Sequence, residues 1–358
     1  MSNTEESIWT FRIKDENGNV LANLLGATKR QVKLGLNKAG EASFSYNLKE
    51  FYDLATKIGL TPESLIGLGR NTLECLRNTT VMFAGEIINL NQTMDEVDAN
   101  IEVKAVGWYW LLGTRFVGLI TDKVYTAIDA GSIAWDLINT TQLITNGSFG
   151  ITQGTIQVSV NRTLTYSRKP IKDAIDELAN TDNGFEFEIT PAKVFNVYYP
   201  QKGSNLSNTV ILRYPGNVIK SIEKVSDVSE MANSVLAIGS GAGLEEISAQ
   251  RDSVANQLVY KVRQTIYPVK DLNNATVLGD IAQQQVDTKG QLNPYYRIKI
   301  YGGNSESPSI EDFHVGDSIR VVSTETFFAI DQIFRVFEIY INVDDVDMEI
   351  IELIVGLV

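Results

Sequence analysis

Three glycines that follow an apolar run are the first residues whose spacing is typical of chemistry. In "SVLAIGSGAGLEE", residues 234–246, they are Gly239, Gly241 and Gly243. A dinucleotide-binding loop needs G-x-G-x-x-G between a strand and a helix, and Leu244 stands where the third glycine belongs. A P-loop needs a Gly-Lys-Ser/Thr, which does not follow. We therefore predict that the glycines let the backbone turn at a strand end, and that the chain binds no cofactor.

The scarcity of histidine and cysteine limits nucleophilic and metal chemistry. The chain has one of each, His314 and Cys75. Nucleophile–base pairs and zinc sites draw mostly on these two residue types. Nothing in "TLECLRN" resembles the setting of a reactive thiol, and we expect His314 to pack at the start of a strand, before a Gly316-Asp317 turn. We predict no catalytic residue, no metal site and no internal disulfide.

Paired carboxylates raise the possibility of a glycosidase. Glu186 and Glu188 share one face of the strand "FEFEI", with Phe185 and Phe187 on the other. A glycosidase needs two acids about 5–9 Å apart across one cleft. Because any half-exposed strand has this i, i+2 spacing, we interpret the pair as a solvated strand face.

Two acidic turns resemble calcium loops at first sight. They are "DENGN" at 15–19 and "DDVDME" at 344–349. The EF-hand order fails from Asp15, because Val20 and Gly26 stand where glycine and glutamate are required. A looser cation site in either turn remains an open alternative.

Charge is unevenly distributed along the chain. The net charge is −13, and residues 311–358 hold eleven acids against Arg320 and Arg335. An acidic protein binds duplex DNA poorly, because affinity comes mainly from basic side chains on phosphates. One small basic patch suits contact with acidic partners and is too short to indicate nucleic-acid binding; it consists of Arg162, Arg168, Lys169 and Lys172.

The elements that position these residues are mostly strands. Asn17-Gly18 predicts a type I′ hairpin turn, and residues 101–105 alternate apolar and polar, as a half-buried strand does. "VMFAGEIINLNQ" precedes them and is predicted to pair with them as a hairpin. A short helix is predicted at 50–59.

The middle third changes to an α+β character. Helices are predicted at 108–116, 132–142 and 169–184, the last with an apolar stripe at i, i+3, i+4 and i+7. Two strands, "FEFEI" and "KVFNVYY", follow. The last third returns to strands, with one helix at about 275–287. Its strands are predicted near 217–226, 233–239, 257–263, 294–301, 317–322, 327–343 and 347–355.

The order of these features resembles that of the baseplate hub, or tail-tip hub, proteins of tailed bacteriophages. "FRIKDENGNVLANL" is similar to their first hairpin. "VMFAGEIINLNQ" with "ANIEVKAVGWYWLLGTRFV" resembles their strand–strand run, with Leu111, Leu112 and Arg115 at its end. "LTYSRKPIKDAIDELANTDNGFEFEI" resembles the middle-domain helix and strand. "GNVIKSIEKVSDVSEMANSVLAIGSG" resembles the strand pair that opens a second barrel, which "HVGDSIRVV" and "FRVFEIYI" close.

The resemblance implies a mostly β, α+β protein with two related tube-type β-barrel domains flanking a small α+β middle domain. The expected boundaries are 1–112, 113–215 and 216–358. It further implies a homotrimeric ring, without enzymatic activity, that adapts a sixfold tail tube or distal tail ring to a threefold tip. Expected partners are those proteins, the tape measure protein, and tip, fibre or receptor-binding proteins. Genomic DNA would pass through an acidic bore to which the last 48 residues contribute.

The expected location is the virion, at the distal end of the tail, after synthesis in host cytoplasm. The start "MSNTEESIWT" lacks a signal-peptide pattern, and no apolar run is long enough to span a bilayer, so we expect no stable membrane insertion. The alternative is a virion-borne or secreted glycan-binding or glycan-hydrolysing protein. Trp108, Trp110 and Trp135 would supply its sugar-stacking faces, although they lie in segments predicted to be helical and core-facing.

Overall fold

The computed structural model describes residues 7–95, 99–216, 219–241, 243–269, 272–302, 308–345 and 348–357. Within them the chain is mostly β, with six α-helices. The strands are β1 (Trp9–Lys14), β2 (Val20–Asn23), β3 (Thr28–Gly35), β4 (Glu41–Asn47), β5 (Thr72–Arg77), β6 (Thr80–Met94), β7 (Ala99–Gly107), β8 (Phe116–Val117), β9 (Lys123–Asp129), β10 (Thr152–Ile156), β11 (Asn161–Tyr166), β12 (Lys169–Pro170), β13 (Glu186–Ile189), β14 (Val194–Tyr198), β15 (Ile211–Tyr214), β16 (Ile219–Val225), β17 (Ser234–Ile238), β18 (Ser248–Asp252), β19 (Gln264–Pro268), β20 (Tyr295–Tyr301), β21 (Ser318–Ser323), β22 (Ile330–Val343) and β23 (Glu349–Leu357).

The helices begin at residues that suit a helix start. Asn47, Thr61, Asp129 and Asn274 each accept a backbone N–H bond from the first turn of the helix that follows, which satisfies donors left without an intrahelical partner. The α-helices are α1 (Leu48–Lys57), α2 (Pro62–Ile66), α3 (Ala130–Gln142), α4 (Ile171–Ala179), α5 (Val254–Tyr260) and α6 (Ala275–Lys289).

Two compact units are each built from segments that are separated in sequence. Unit 1 comprises residues 1–108, 203–224 and 296–358, and unit 2 comprises residues 109–202 and 225–295. The boundaries expected from the sequence, 1–112, 113–215 and 216–358, run consecutively instead. That three-domain assignment stays a prediction.

Unit 1 contains one large open sheet. Its strand order is β16-β20-β23-β22-β3-β4-β7-β6-β5-β1-β2, with β15 and β21 attached beside β22. Strand β22 pairs antiparallel with β3, from Glu338 opposite Gly35 to Val343 opposite Arg30. The early and late parts of the chain therefore meet within a single sheet. Counted outward from this pairing, four strands run from β22 to β16 and four run from β3 to β6.

The expectation of two closed barrels is not confirmed. The two ends of the described strand order do not pair with each other, so the strands form an open sheet. The period-2 alternation correctly identifies which face of each strand is buried, but it carries no information about which strand lies beside it. The β3–β22 pairing joins what the sequence pattern presented as two separate β regions.

The buried face of the large sheet follows from that alternation. Ile101, Val103 and Ala105 are buried, while Glu102 and Lys104 between them are exposed or half-buried. In β22 the alternation breaks at Phe337, where a register shift between Val336 and Glu338 bends the strand. Aromatic side chains fill the core of this unit, namely Trp9, Phe11, Phe44, Tyr46, Phe51, Phe83, Tyr296, Phe313 and Phe334.

The described residues of unit 2 form four small sheets and include three of the longer helices. The sheets are β8–β12, β9–β11, β10–β14–β13 and β18–β17–β19. Helix α6 packs on β17 and β18, and α3 contacts α4. In α4 the predicted stripe is buried as expected; it consists of Ile171, Ala174, Ile175 and Leu178.

Two sequence-based expectations about strands are wrong. Residues 257–263 were expected to form a strand, but 254–260 form helix α5 and the segment pairs with no described strand. The segment "GNVIKSIEKVSDVSEMANSVLAIGSG" does not supply two paired strands of one barrel, because β16 belongs to the large sheet and β17 to a small sheet of unit 2.

Candidate assembly surfaces and charged clusters

The glycine-rich loop connects two antiparallel strands. It joins β17 to β18, and Gly239 N–H donates to the Ile247 carbonyl at 2.6 Å. A Cβ atom on Gly239 would lie 2.2 Å from the Leu272 carbonyl oxygen, and Gly241 has φ +125°. Close backbone approach and a left-handed conformation therefore account for these two glycines. The prediction of a strand-end turn is confirmed, and the strand belongs to a three-stranded sheet.

His314 and Cys75 lie in unlike surroundings. The His314 side chain is 70% exposed, with Nδ1 3.8 Å from Asp317 Oδ2, so the expectation that it packs at a strand start is wrong. Its backbone N–H donates to Asp317 Oδ2 at 2.7 Å, and this bond fixes the turn without burying the ring. The Cys75 thiol is fully buried in β5, and burial raises its pKa, which keeps it protonated and unreactive.

Glu186 and Glu188 both bind the Lys202 segment. The Lys202 N–H donates to Glu186 Oε2 at 2.7 Å, and the Lys202 ammonium pairs with Glu188. Burial alone would raise the pKa of Glu188, but Lys202, with a hydrogen bond from Tyr198, holds it below its usual range. Since a glycosidase acid needs a raised pKa, Glu188 has the wrong electrostatics for that role. Phe185 and Phe187 are buried on the opposite face, as predicted.

The first acidic turn is held by its own backbone. Asp15 accepts hydrogen bonds from the N–H groups of Asn17 and Asn19, and the side-chain bond from Asn19 contributes most to lowering its pKa. Gly18 has φ +85°, whereas Asn17 does not have a positive φ, so the β1–β2 hairpin is confirmed but its turn is not type I′. In the second turn, Asp344 bonds to the N–H of Met348, and residues 346 and 347 lie outside the described residues.

The basic patch is largely neutralised within unit 2. Arg162 is buried and pairs with Asp280 at 2.6 Å. Lys169 is buried against Glu177, and Lys172 pairs with Asp176 at 2.6 Å. Arg168 is exposed. These side chains stabilise the unit and leave little positive surface for a partner.

The three tryptophans do not form a shared face. Trp108 is buried, and Trp135 is half-buried and stacked on Phe195 with ring centroids 6.4 Å apart. Trp110 is 37% exposed. Stacking against a sugar ring needs a free aromatic face, which Trp108 lacks.

The polar face of the large sheet carries a row of ion pairs between neighbouring strands. Apart from Lys38, which lies in the turn between β3 and β4, these side chains belong to strands and lie on the face opposite the buried residues. The pairs are Lys104–Glu41 at 2.9 Å, Lys33–Glu338 at 3.7 Å, Lys38–Glu338 at 2.6 Å, Lys299–Glu352 at 3.2 Å and Arg297–Glu223 at 3.5 Å. Acidic and basic groups are matched along the row, so this face is polar without a strong net charge.

An open groove of about 350 Å³ crosses this face at the β22–β3–β4–β7 strands. Burial alone would raise the pKa of Glu338, but hydrogen bonds from Lys38 and Tyr340, with Lys33 nearby, hold it below its usual range. A hydrogen bond with Tyr340, together with Glu338, raises the pKa of Lys33. Both groups are therefore charged at neutral pH, and the groove presents fixed ion pairs to solvent.

Five of the described acids in the last 48 residues form ion pairs with lysine or arginine: Glu311, Asp331, Glu338, Glu349 and Glu352. Glu338 and Glu352 pair with lysines of neighbouring strands, and Asp331 pairs with Arg320 at 2.7 Å. Asp317 and Glu349 are buried. The acidity of this segment in sequence therefore does not produce an equally acidic surface.

The most deeply buried charge in unit 1 is Glu349, which is 1% exposed. Its Oε1 accepts hydrogen bonds from Ser7 Oγ at 2.8 Å, Trp9 Nε1 at 2.5 Å and Arg77 Nε at 2.6 Å. Arg77 also pairs with Glu311 at 3.3 Å. We call these five residues the Glu349 cluster. It ties β1 and β5 to β23, and three donors compensate the burial of Glu349 Oε1, whereas Glu311 Oε1 is buried without a hydrogen-bond partner among the described residues.

Among the described strands, the open edges of the large sheet include two, namely β16 and residues 89–94 of β6. Strand β16 ends the strand order, and β6 pairs with β5 only over Thr80–Glu86. Over Asn89–Met94 the described pairs of β6 are with β7 alone. Unpaired edges present backbone donors and acceptors that another strand can bind.

The sequence pattern missed both the Glu349 cluster and these edges. The only sequence signal for Glu349 is a glutamate at a position that the period-2 alternation assigns to the buried face, with Ile351 and Leu353 following at the same spacing. Among the described residues, no three His, Cys, Asp or Glu side chains come together as a metal site, and no helix is long and apolar enough to cross a membrane.

Solved structures share this fold over nearly the whole chain. A tail protein from Neisseria meningitidis MC58 is 13% identical, with a TM-score of 0.66 over 97% of this chain and 96% of that one. The 43 kDa tail protein of prophage MuSo2 from Shewanella oneidensis is 12% identical, with a TM-score of 0.64 over 98% of each chain. Prophage tail protein gp18 from Listeria monocytogenes EGD-e is 11% identical, with a TM-score of 0.58 over 97% and 94%. No family model and no curated protein matches the sequence.

Proposed function

We propose that this protein is a structural component of a bacteriophage tail, a hub of the baseplate or tail tip. The observation that carries the proposal is the likeness in fold, over at least 97% of the chain, to three tail proteins. Identities of 11–13% leave the role itself to be tested. The resemblance of the sequence order to hub proteins supports the same role.

The proposed assembly is a homotrimeric ring that adapts a sixfold tail tube or distal tail ring to a threefold tip. A ring of this kind closes only if each subunit presents two complementary patches. The large sheet supports this arrangement, because its strands from β16 to β6 form two groups of four that meet at the β3–β22 pairing, with β5, β1 and β2 continuing the order beyond β6. Three subunits would then contribute six comparable four-stranded groups.

The open strand edges are the proposed contacts of the ring. In this arrangement β16 of one subunit lies beside residues 89–94 of β6 in the next, and main-chain hydrogen bonds join them. The exposed side chains of Ser221 in β16 and Gln92 in β6 offer sites to test the pairing.

The polar face of the sheet is the proposed channel wall. Its ion pairs leave few uncompensated lysines or arginines to hold phosphates, so duplex DNA would pass without stable binding. This differs from a strongly acidic bore, because lysines and an arginine pair with the acids of the row.

The proposed partners are a distal tail ring or tail tube protein, the tape measure protein, and tip, fibre or receptor-binding proteins. The proposed location is the distal end of the virion tail, after synthesis in the host cytoplasm and without stable membrane insertion. We propose no enzymatic activity.

Native mass spectrometry and labelling test the role directly. We expect a species near three times 39.6 kDa, and label at the distal end of tails in electron micrographs. Label on the capsid or along the tube would contradict the role. Binding or release of cell-wall glycan by the purified protein would favour the glycan-active alternative instead.

Crosslinking tests the edge contact. Ser221→Cys with Gln92→Cys, treated with a flexible bis-maleimide, should yield covalent trimers, since Cys75 is buried and does not compete. The control combines Ser221→Cys with Asn17→Cys in the β1–β2 turn and should yield none. Equal crosslinking in both variants would contradict the proposed edge pairing.

A further inference from the structure

One segment of unit 2 exposes several aliphatic side chains that no element covers among the described residues. The apolar arm, residues 253–266, connects β18 to β19 and includes α5, none of whose residues is buried. Five aliphatic side chains of this arm are exposed: Val254 by 65%, Leu258 by 85%, Val259 by 70%, Val262 by 59% and Ile266 by 61%. Soluble proteins rarely leave such patches uncovered unless they bind something.

The apolar arm is held in a fixed conformation by buried polar contacts. Asn233 is fully buried, its Nδ2 donates to the Lys261 carbonyl at 2.8 Å, and its Oδ1 accepts from Arg263 N–H at 2.8 Å. The Asn233 carbonyl accepts from Ser253 N–H at 2.9 Å and Gln257 Nε2 at 3.1 Å. One asparagine thus anchors both ends of the arm, which reduces the entropy lost when a partner binds it.

The backbone at the end of α5 is strained. Lys261 has φ 61° and ψ 173°, a conformation that is nearly restricted to glycine. Strain of this kind persists only where surrounding contacts impose it, and it clusters at functional sites. The Asn233 bonds on both sides of Lys261 are those contacts.

We propose that the apolar arm is a contact surface for a second copy of this chain. The arm carries Lys261 and Arg263 and no acid, in a chain whose net charge is −13. Both basic residues are exposed. The remaining surface of another copy therefore supplies the acidic complement that a basic-rimmed apolar patch requires.

The same charges favour a contact between different surfaces of two copies. An arm-to-arm contact would bring like charges together, which is unfavourable. Contacts between unlike surfaces generate closed rings or filaments. This inference deepens the proposed function, because it names a surface of the proposed ring.

Concentration-dependent association of the full chain tests the proposal. Sedimentation velocity should show that Leu258→Asp weakens self-association at least about 10-fold, because it places a charge in a buried apolar contact. Arg263→Glu should also weaken it. The matched control is Leu143→Asp, which changes a leucine that is 76% exposed outside the arm and should change association less than about 2-fold.

Three results would overturn the proposal. The first is a wild type that stays monomeric up to about 1 mM. The second is self-association of the Leu258→Asp variant equal to that of wild type. The third is wild-type binding to anionic phospholipid vesicles without self-association. Equal denaturation midpoints for wild type and both leucine variants establish that the arm variant folds. A wild-type ring of another size, such as a tetramer, that Leu258→Asp disrupts would support the arm contact and contradict the trimeric ring, so the two proposals fail separately.

Discussion

The Glu349 cluster and the apolar arm both depart from the usual pattern of buried apolar and exposed charged side chains. The cluster buries charged groups, and the arm exposes apolar ones. In the cluster, a carboxylate and a guanidinium are buried among β1, β5 and β23. In the arm, five aliphatic side chains are exposed. Glu349 Oε1 finds its three hydrogen-bond donors within the same chain. The arm has no such partner among the described residues.

This difference separates stability from assembly. The partners of a buried charge inside the same chain stabilise the folded state. Removing one partner lowers the free energy of unfolding, because the other charge stays buried without compensation. An exposed apolar surface that is held rigid contributes nothing until a partner covers it. The first region should respond to mutation in unfolding experiments and the second in association experiments.

The largest expected effect is on Glu349. Glu349→Gln should lower the free energy of unfolding by roughly 3 kcal/mol, because Arg77 remains buried while its main counter-ion is lost. Glu311 still pairs with Arg77, which keeps the effect at the low end of the range for broken buried pairs. Urea denaturation followed by tryptophan fluorescence measures it.

The control lies on the same strand. Glu352→Gln removes a carboxylate that pairs with Lys299 on the polar face, and it should cost less than about 1 kcal/mol. If the two substitutions had equal effects, the cluster would not be a stabilising feature distinct from the surface pairs.

Trp9→Phe should have the next largest effect. It removes the indole donor to Glu349 and keeps most of the buried ring, so we expect a loss of about 1.5–3 kcal/mol, typical of a hydrogen bond to a charged group. Thermal denaturation measures the shift. Trp110→Phe, at a half-exposed position, is the control and should change the midpoint little.

Asn233→Ala tests whether the arm is held rigid. The loss of both side-chain bonds should cost about 1–2 kcal/mol locally and free the end of α5. Trypsin should then cleave faster after Lys261 and Arg263 than in wild type, while cleavage elsewhere is unchanged. Unchanged cleavage at these two sites would show that Asn233 does not anchor the arm.

The smallest effect concerns Glu188, whose charge is only partly buried. Because its folded pKa lies below the unfolded value of 4.5, its contribution to stability is present above that pH and lost as pH falls through the folded value. Lys202→Met should therefore destabilise the protein by about 1 kcal/mol or less near pH 7. The difference should shrink as pH falls through the folded pKa of Glu188, and a constant difference would contradict the ionic origin.

The sequence predicted most elements but not their neighbours. The hairpin of β6 and β7, helix α4 and the late strands all appear close to where the periodicity placed them, because local alternation reports which face is buried. The β3–β22 pairing could not be predicted, since it joins residues about 300 positions apart and depends on strand neighbours rather than on local pattern.

The candidate surfaces were harder to predict from the sequence than the strand pairing. Residues 257–263 contain β-branched and aromatic types that predict a strand, yet β-propensity mainly reflects fit to a half-buried pleated surface, and this segment has no strand beside it. The acids of residues 311–358 were expected to form an acidic wall. Their pairing with Lys33, Lys38 and Lys299 depends on strand register, which composition does not report.

The β3–β22 pairing also has a consequence for biosynthesis. At bacterial and eukaryotic elongation rates, strand β3 leaves the ribosome roughly 15–60 s before β22 does. Until then one side of β3 has no hydrogen-bonding neighbour. Its unpaired N–H and C=O groups can therefore pair with a strand of another nascent chain. Chaperones that bind nascent chains at the ribosome should therefore raise the yield of native protein. Translation of one mRNA by several closely spaced ribosomes should lower it.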